Sequence, residues 1–281
     1  MSMTLAEQLN AAQQRLAAQG DATASPRLEA DLLMCQALGV PRSHLFAYPE
    51  QMLDQAELKR FGALLERRLQ GEPMAYLAGV RSFWSLELEV NPEVLIPRPE
   101  TELLVEWGLE LLAGSARAAD LGTGSGAIAL ALASERPGAD IHATDCSAGA
   151  LETARRNASA LGLDKVQFHQ GSWTTPLQGS FELLVSNPPY VAADDPHLQQ
   201  GDCRFEPRAA LSPGADALVA YRDIISEAPA VLQPAGWLLF EHGHEQGSAV
   251  RELLHGAGFE KVSTRPDLAG LERISGGRWR S

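Results

Sequence analysis

"ADLGTGSGAIALALA", residues 119–133, passes from an apolar segment through glycines at alternate positions into a second apolar run of helical length. A strand ending near Asp120 and turning through Gly122, Gly124 and Gly126 into a helix is the opening βα unit of a doubly wound sheet. Glycines there allow a tight turn and let a ligand approach backbone N–H groups at a helix N-terminus. Two cofactor patterns fit. Gly122-x-Gly124-x-x-Ala127 satisfies the dinucleotide spacing, and Gly122-x-Gly124-x-Gly126 suits a nucleoside cofactor without a pyrophosphate. Asp145 closes the next apolar run, 23 residues beyond Gly122. An acid there accepts hydrogen bonds from both ribose hydroxyls of either cofactor. Without a ligand, the same residues make an ordinary βα turn with a helix-capping acid.

Outward from this turn the pattern repeats. Helical spacing over 100–113, 126–135, 147–161, about 216–232 and 245–255 alternates with strand-like runs at 116–122, 140–145, 165–170, 181–187, 236–243, 259–265 and 272–279. Such alternation predicts an α/β fold whose seven-stranded, mostly parallel sheet is covered on both faces. Upstream, residues 4–19, 26–38 and 54–70 carry apolar residues at helical spacing, with Leu28, Leu32 and Leu33 in one run and Leu58, Leu65 and Leu69 in another. Ser25-Pro26 is a helix start. The first 80 residues thus read as a small all-α domain. "FWSLELEV" (83–90) alternates enough for a strand, which Asn91-Pro92 turns.

The chain has 281 residues, a formal net charge of −13 and 45% hydrophobic residues. Residues 1–80 carry a net −2 and the remainder −11, a surface unsuited to avid binding of nucleic acid phosphates. No apolar run is long enough to span a membrane, and the N-terminus lacks a signal-peptide pattern. Cys35, Cys146 and Cys203 are odd in number and scattered, which predicts reduced thiols in the cytoplasm.

"LLVSNPPYVAADDP" (183–196) stops an apolar strand on Asn187, Pro188, Pro189 and Tyr190. Proline fixes φ and holds the preceding residue extended, so the segment either ends a strand or holds acceptors toward a ligand. Its strand is the fourth of the sheet, expected beside the first, so its end lies at the switch point next to the glycine turn. The lone pair of a planar NH₂ group is delocalised. Two acceptors gripping both its N–H bonds, the Asn187 side-chain carbonyl and the Pro188 carbonyl, would aim that lone pair at an electrophile. Tyr190 would stack on the amide or ring plane.

"IPRPETE" (96–102), "DLGTGSGAIAL" (120–130), "SNPPY" (186–190) and "FEPRAAL" (205–211) in this order resemble the peptide chain release factor glutamine methyltransferases. The resemblance spans the chain. It implies a Rossmann-like methyltransferase domain over 100–281, a hairpin linker over 81–99 and an N-terminal substrate-recognition domain over 1–80. It also implies S-adenosylmethionine as cofactor and release factors as protein partners, methylated at the glutamine of a Gly-Gly-Gln loop. Gly122, Thr123, Gly124, Ser125 and Gly126 would hold the methionine end, Asp145 the ribose, and Trp173 of "GSWTTPL" the adenine. Asn187, Pro188, Pro189 and Tyr190 would grip the substrate amide, with Asn187 also near the cofactor. Glu100 stands where many members have aspartate, and Ser172 where methyltransferases often carry an acid, which unsettles adenine recognition at that position.

Other readings stay open on the residues alone. They are a glutamine methyltransferase of a large-subunit ribosomal protein, an adenine amino-group methyltransferase, an NAD-binding oxidoreductase and a binding module. "EHGHEQ" (241–246) offers Glu241, His242 and His244 as metal ligands, but with no third cluster in sight it reads as a sheet-end loop. "IPRPETE" reads equally as a helix start or a lid, and "ERRLQ" (66–70) as a solvated helix end.

Overall fold

The computed structural model describes residues 3–19 and 25–280; the remaining positions of the expected domains lie outside the described residues. Chain contacts divide the protein into two compact units, Met1–Gly79 and Val80–Ser281.

The first unit contains α1 (Leu5–Ala17), α2 (Pro26–Leu38), α3 (Arg42–Ala47), α4 (Gln55–Leu69) and α5 (Met74–Ala78). Reciprocal capping boxes start two of them, Thr4 with Glu7 on α1 and Asp54 with Glu57 on α4, while Gly39 in the left-handed region ends α2. Leu5, Leu16, Leu33, Met34, Phe61 and Leu65 form the core. The stripe read along α2 is corrected by the structure. Leu28 and Leu32 face outward, whereas Glu29 and Asp31 are buried, paired with Arg68 and Arg42. Arg68 therefore does not belong to a solvated helix end. Two of its N–H groups reach the two Glu29 oxygens at 2.9 and 3.0 Å, and such a pair is stable away from water because both charges are matched.

The second unit opens with a hairpin, β1 (Val80–Phe83) and β2 (Leu86–Glu89). The expected single strand over 83–90 is thus two strands, turned at Trp84-Ser85 with Trp84 at φ 57°. Then follow α6 (Glu102–Leu111), β3 (Arg117–Leu121), α7 (Ala127–Glu135), β4 (Asp140–Asp145), α8 (Ala148–Ala160), β5 (Gln167–Gln170), β6 (Phe181–Ser186), α9 (Arg208–Leu211), α10 (Val219–Glu227), β7 (Leu232–Glu241), α11 (Gly247–Gly256), β8 (Phe259–Pro266) and β9 (Glu272–Trp279). A 3-10 turn over Pro99–Thr101 leads into α6, so "IPRPETE" does begin a helix. The helix expected over 216–232 stops early. Pro229 lies in a 3-10 turn, and Leu232 already belongs to β7.

Seven strands form one sheet in the order β5-β4-β3-β6-β7-β9-β8. The first five strands of that order are parallel, and β9 runs antiparallel between β7 and β8. Residues on both faces of β3, β6 and β7 are buried, as a sheet covered on both sides requires. The helix α7 is buried from Ala127 through Ala133, and its alternating alanines and larger apolar residues suit a helix enclosed on every side. The chain leaves β3 toward β4 on one side and reaches β6 on the other, so the switch point lies where β3 ends. Asp120 pairs with Val185 of β6 there, as expected for the strand leading to Asn187.

Candidate active site

A cavity of about 280 Å³ opens at the carboxyl ends of β3, β4 and β6. Gly122, Gly124, Asp145, Trp173, Asn187 and Pro189 line it. Its outer walls are residues 93–95 and the segment around Pro207, Ala209 and Ala210.

The glycine turn is held open by its neighbours. Gly122 and Thr123 both donate their N–H groups to the Thr144 carbonyl of β4, at 2.9 Å each. Gly122 has φ 77°, and a Cβ there would lie 3.2 Å from the Trp173 ring. Gly124 has φ 56° with no atom within 4 Å of a Cβ position, so its backbone faces open space. Its N–H donates to Asp145 Oδ2 at 2.9 Å, and the Ser147 N–H donates to Oδ1 at 2.8 Å. Each Asp145 oxygen retains a lone pair for a further donor.

Thr123, Ser125 and Gly126 do not line the cavity; they shape the turn from behind. The Thr123 hydroxyl donates to Asp120 Oδ2 at 2.6 Å, and the Ser125 carbonyl accepts from Asn157 Nδ2 at 2.9 Å. Gly126 meets Leu130 and Ala154 on the side away from the cavity. Asp120 is fully buried, with Oδ1 lacking any partner. Burial pushes its pKa up to about 7, hydrogen bonds from Thr123 and the Ala129 N–H oppose the rise, and the Asp145 charge adds to it.

Asn157 links the turn to the hairpin. Its Nδ2 also donates to the Glu89 carbonyl at 3.0 Å, and its Oδ1 accepts the Glu89 N–H at 2.6 Å. Ser172 and Trp173, expected from the sequence on the adenine side, both line the cavity.

The strand β6 ends with Ser186 donating to the Leu121 carbonyl at 2.7 Å, which fixes Asn187 beside the glycine turn. Asn187 and Pro189 line the cavity, while Pro188 is buried and Tyr190, half-buried, does not line it. The Tyr190 ring packs on the core cluster around Tyr221 and Phe240, and its hydroxyl donates to Glu241 Oε1 at 3.4 Å. Burial and the neighbouring Glu241 raise its pKa well above the usual phenol value. The ring is thus partly buried against this cluster and is not part of the cavity lining.

"EHGHEQ" ends β7. His242 is buried with its ring nitrogens on the Gly243 carbonyl at 2.9 Å and the Ser275 hydroxyl at 2.8 Å, and His244 is exposed.

Sequence reasoning misses the outer walls and their clasp. Glu206 of "FEPRAAL" is buried, accepts the Ile96 N–H at 2.9 Å and pairs with Arg98. This carboxylate ties the "IPRPETE" segment to the segment carrying Pro207 and Ala210. The two motifs are visible separately in the sequence, and only the acid in one and the arginine in the other hint at a pair. No helix among the described residues is long and apolar enough to cross a membrane.

Residues 7–79 match the PrmC N-terminal domain, and residues 99–202 the methyltransferase small domain. A release factor glutamine methyltransferase of Xylella fastidiosa (strain Temecula1) is 52% identical over 255 residues, covering 90% of this chain and 93% of its own. Its namesake from Vibrio cholerae is 46% identical over 284 residues, covering 100% and 99%. Solved structures share the fold at low identity. A methyltransferase from Pyrococcus furiosus superposes with TM-score 0.54 at 19% identity, over 77% of this chain and 98% of that one. The hMettl16 catalytic domain, solved with a MAT2A 3'UTR hairpin, gives 0.57 at 16%, over 83% and 86%.

Proposed function

The chain belongs to the release factor glutamine methyltransferase family, and we propose that it methylates the side-chain amide nitrogen of the glutamine in the Gly-Gly-Gln loop of peptide chain release factors, using S-adenosylmethionine. The observation that carries this reading is the position of Asn187, an amide in the wall of the cavity that the glycine turn and Asp145 also line.

These residues fit a nucleoside with an amino-acid tail. Gly124 leaves room for a ligand against its backbone, the Asp145 oxygens keep lone pairs for ribose hydroxyls, and Trp173 offers a flat apolar wall. When bound, S-adenosylmethionine supplies a methyl group made electrophilic by its sulfonium. The protein's own work is to aim the nucleophile. The Asn187 side-chain carbonyl and the Pro188 backbone carbonyl accept the two N–H bonds of the glutamine amide, and this directs its nitrogen lone pair toward the cavity. The amide needs no prior deprotonation, since its nitrogen gains positive charge on methylation and then releases a proton. Proline at 188 and 189 removes the backbone N–H groups that would compete for the same amide.

The helical unit over 1–79 offers a second surface for recognising a folded release factor, and the acidic chain is ill suited to a nucleic acid substrate. The protein acts in the cytoplasm, where release factors work.

The test is transfer of labelled methyl from S-adenosylmethionine to intact release factor, to its loop-glutamine→alanine variant, and to duplex DNA. Label confined to the wild-type release factor supports the reading. Equal labelling of both release factors, or label in DNA alone, overturns it.

A further inference from the structure

The strand that leads to Asn187 is not alone in ending on this side of the sheet. Ser186 of β6 pairs with Phe240 of β7, Glu241 of β7 pairs with Ile274 of β9, and Ile274 pairs with Arg265 of β8. Asn187, Glu241, Ile274 and Arg265 therefore stand at about one level across four neighbouring strands. Everything between Arg265 and Ile274 projects past that level, on the edge of the sheet where the cavity opens. Strands lie about 4.8 Å apart and rise about 3.3 Å per residue, so the end of the β8–β9 hairpin lies about 10–15 Å to the side of Asn187 and about 7–10 Å beyond it.

This hairpin end is fixed from within. Residues 266–271 read Pro-Asp-Leu-Ala-Gly-Leu, and the single charged side chain among them, Asp267, is turned inward with 10% of it exposed. Asp267 Oδ1 accepts the Ala269 and Leu271 N–H groups at 2.9 and 3.0 Å, and Oδ2 accepts from Arg273 Nε at 3.0 Å. The Asp267 N–H donates to the Leu271 carbonyl at 2.8 Å, and the Gly270 N–H to the Asp267 carbonyl at 2.9 Å. Gly270, at φ 79°, takes the left-handed turn that closes the loop. The base is held too. Arg251 of α11 donates to the Thr264 hydroxyl of β8 at 2.6 Å and to Glu272 of β9 at 2.9 Å. The His242 N–H, just past the end of β7, donates to the Arg273 carbonyl at 2.9 Å.

What this ordered loop presents is apolar. Leu268 is fully exposed, Leu271 is 42% exposed, and Pro266 and Ala269 are exposed beside them. A single surface leucine is ordinary. A leucine held clear of the protein, on a loop whose own acid is spent internally, is a different matter in a chain of net charge −13. Because the backbone is already ordered, burying Leu268 against a partner costs little conformational entropy. The size of that partner follows from the spacing. A folded domain is about 30 Å across, so one that places a loop beside Asn187 also covers the hairpin end. A short peptide in the cavity does not reach it.

We propose that the β8–β9 hairpin end is a docking point for the folded body of the methyl acceptor: Leu268, with Leu271 beside it, seats in an apolar hollow on the release factor outside its Gly-Gly-Gln loop. The inference rests on the methyltransferase reading above. It gives intact release factor an anchor that the loop alone lacks, and the anchor acts on binding rather than on the transfer step.

The experiment compares wild type, Leu268→Gln and Leu268→Met in the full chain, with intact release factor and the isolated loop peptide as acceptors. It reads kcat and KM, the calorimetric Kd of release factor and of S-adenosylmethionine, melting temperature and sedimentation. Leu268→Gln raises KM and Kd for intact release factor by about tenfold, the scale of one interface anchor, while kcat at saturation stays within about twofold. Labelling of the loop peptide and cofactor affinity also stay within about twofold. The melting temperature does not move, since a fully exposed side chain has no packing to lose. Leu268→Met, apolar and of similar volume, keeps KM within about threefold. A KM and Kd for intact release factor within about twofold of wild type in Leu268→Gln overturn the proposal. So does an equal loss with the loop peptide, which places the effect in the cavity, or an equal loss in Leu268→Met, which removes apolar contact as the cause. A wild-type dimer that Leu268→Gln dissociates, with release factor affinity unchanged, assigns the loop to a second copy of this chain and overturns it as well. If wild type labels no release factor, the functional reading falls and the inference with it. If wild type labels release factor and Leu268→Gln binds it equally well, the inference alone falls.

Discussion

Replacing Asp145 by asparagine removes no heavy atom, yet the structure makes it a severe change. The carboxylate accepts from two backbone donors, Gly124 N–H at Oδ2 and Ser147 N–H at Oδ1. An amide has one oxygen, so in either orientation its NH₂ confronts one of those N–H groups. The turn then loses one charge-assisted hydrogen bond, about 1.5–3 kcal/mol, and acquires a repulsive contact unless the backbone shifts. If the backbone shifts, Gly124 leaves the position in which its open side faces the cavity. One ribose hydroxyl loses its acceptor as well. Together about 2–4 kcal/mol of S-adenosylmethionine binding disappears, a rise in Kd of about 30- to 700-fold. Asp145→Ala, which leaves room for water to satisfy both N–H groups, costs about the same or slightly less, 1–3 kcal/mol as an order of magnitude. The ranking is the point: the near-isosteric variant binds no better than the truncated one. Calorimetric titration of all three proteins measures it, with the thermal shift at saturating ligand as a second reading. A Kd for Asp145→Asn within about threefold of wild type would refute the hydrogen-bond accounting of the turn.

Asn187→Ala lowers turnover by about a hundredfold or more, with a melting temperature close to wild type, because it removes an acceptor from the reacting centre rather than a packed side chain. Near-normal turnover would show that the amide is held elsewhere. Glu206→Ala leaves Arg98 and the Ile96 N–H without their acceptor and costs about 3 kcal/mol in urea unfolding, together with weaker cofactor binding as the outer walls separate; unchanged stability would contradict the clasp. Asp120 and Glu241, each pushed up to about 7 chiefly by burial, keep protons in the folded chain that the unfolded chain releases above ordinary carboxyl values. Their contribution to stability is therefore fully present only below about pH 4 and is lost as pH rises toward about 7, by up to about 4 kcal/mol for Asp120 taken alone. Urea midpoints between pH 5 and 8 show this fall, and Glu241→Met flattens part of it; a stability that climbs across this window in wild type would reverse the assigned sign.

What the sequence reveals depends on whether a local pattern carries the information. The strand–turn–helix unit around Gly122 is legible because glycines, an apolar strand and an apolar helix are all written within 15 residues. The hairpin reads as one strand because its turn is Trp84-Ser85, where a φ of 57° is imposed on a tryptophan rather than advertised by glycine or asparagine. Ala228 through Leu232 continue an apolar spacing that suits a helix, and the change of direction comes from Pro229 and the pull of β7 on its neighbours. Leu28 and Leu32 suggest a buried stripe, but Glu29 and Asp31 find arginines across the bundle. That pairing is non-local and leaves no period. At the site, Gly122, Gly124, Asp145, Trp173 and Asn187 follow from motifs and do line one cavity. Glu241 stands out only as a conceivable metal ligand, since nothing in "EHGHEQ" reveals that the register of β6 and β7 sets it beside Asn187. Tyr190 offers the sequence reader an aromatic plane, while the partial burial of that ring comes from its packing against the cluster that holds Tyr221 and Phe240.

The position of β9 has a consequence for a chain emerging in one direction. β8 is synthesised first, yet it pairs only with β9, which lies between it and β7. Until residues 272–279 are available, β7 presents an unpaired row of N–H and C=O groups along its Trp237–Glu241 edge, and β8 has no partner. That edge is apolar at Leu238, Leu239 and Phe240, the combination that recruits strands from other molecules. A nascent or truncated chain ending near Asp267 is thus a five-stranded sheet with a sticky edge, cleaved readily through β8 and prone to self-association, whereas eight more residues of strand cover the β7 edge.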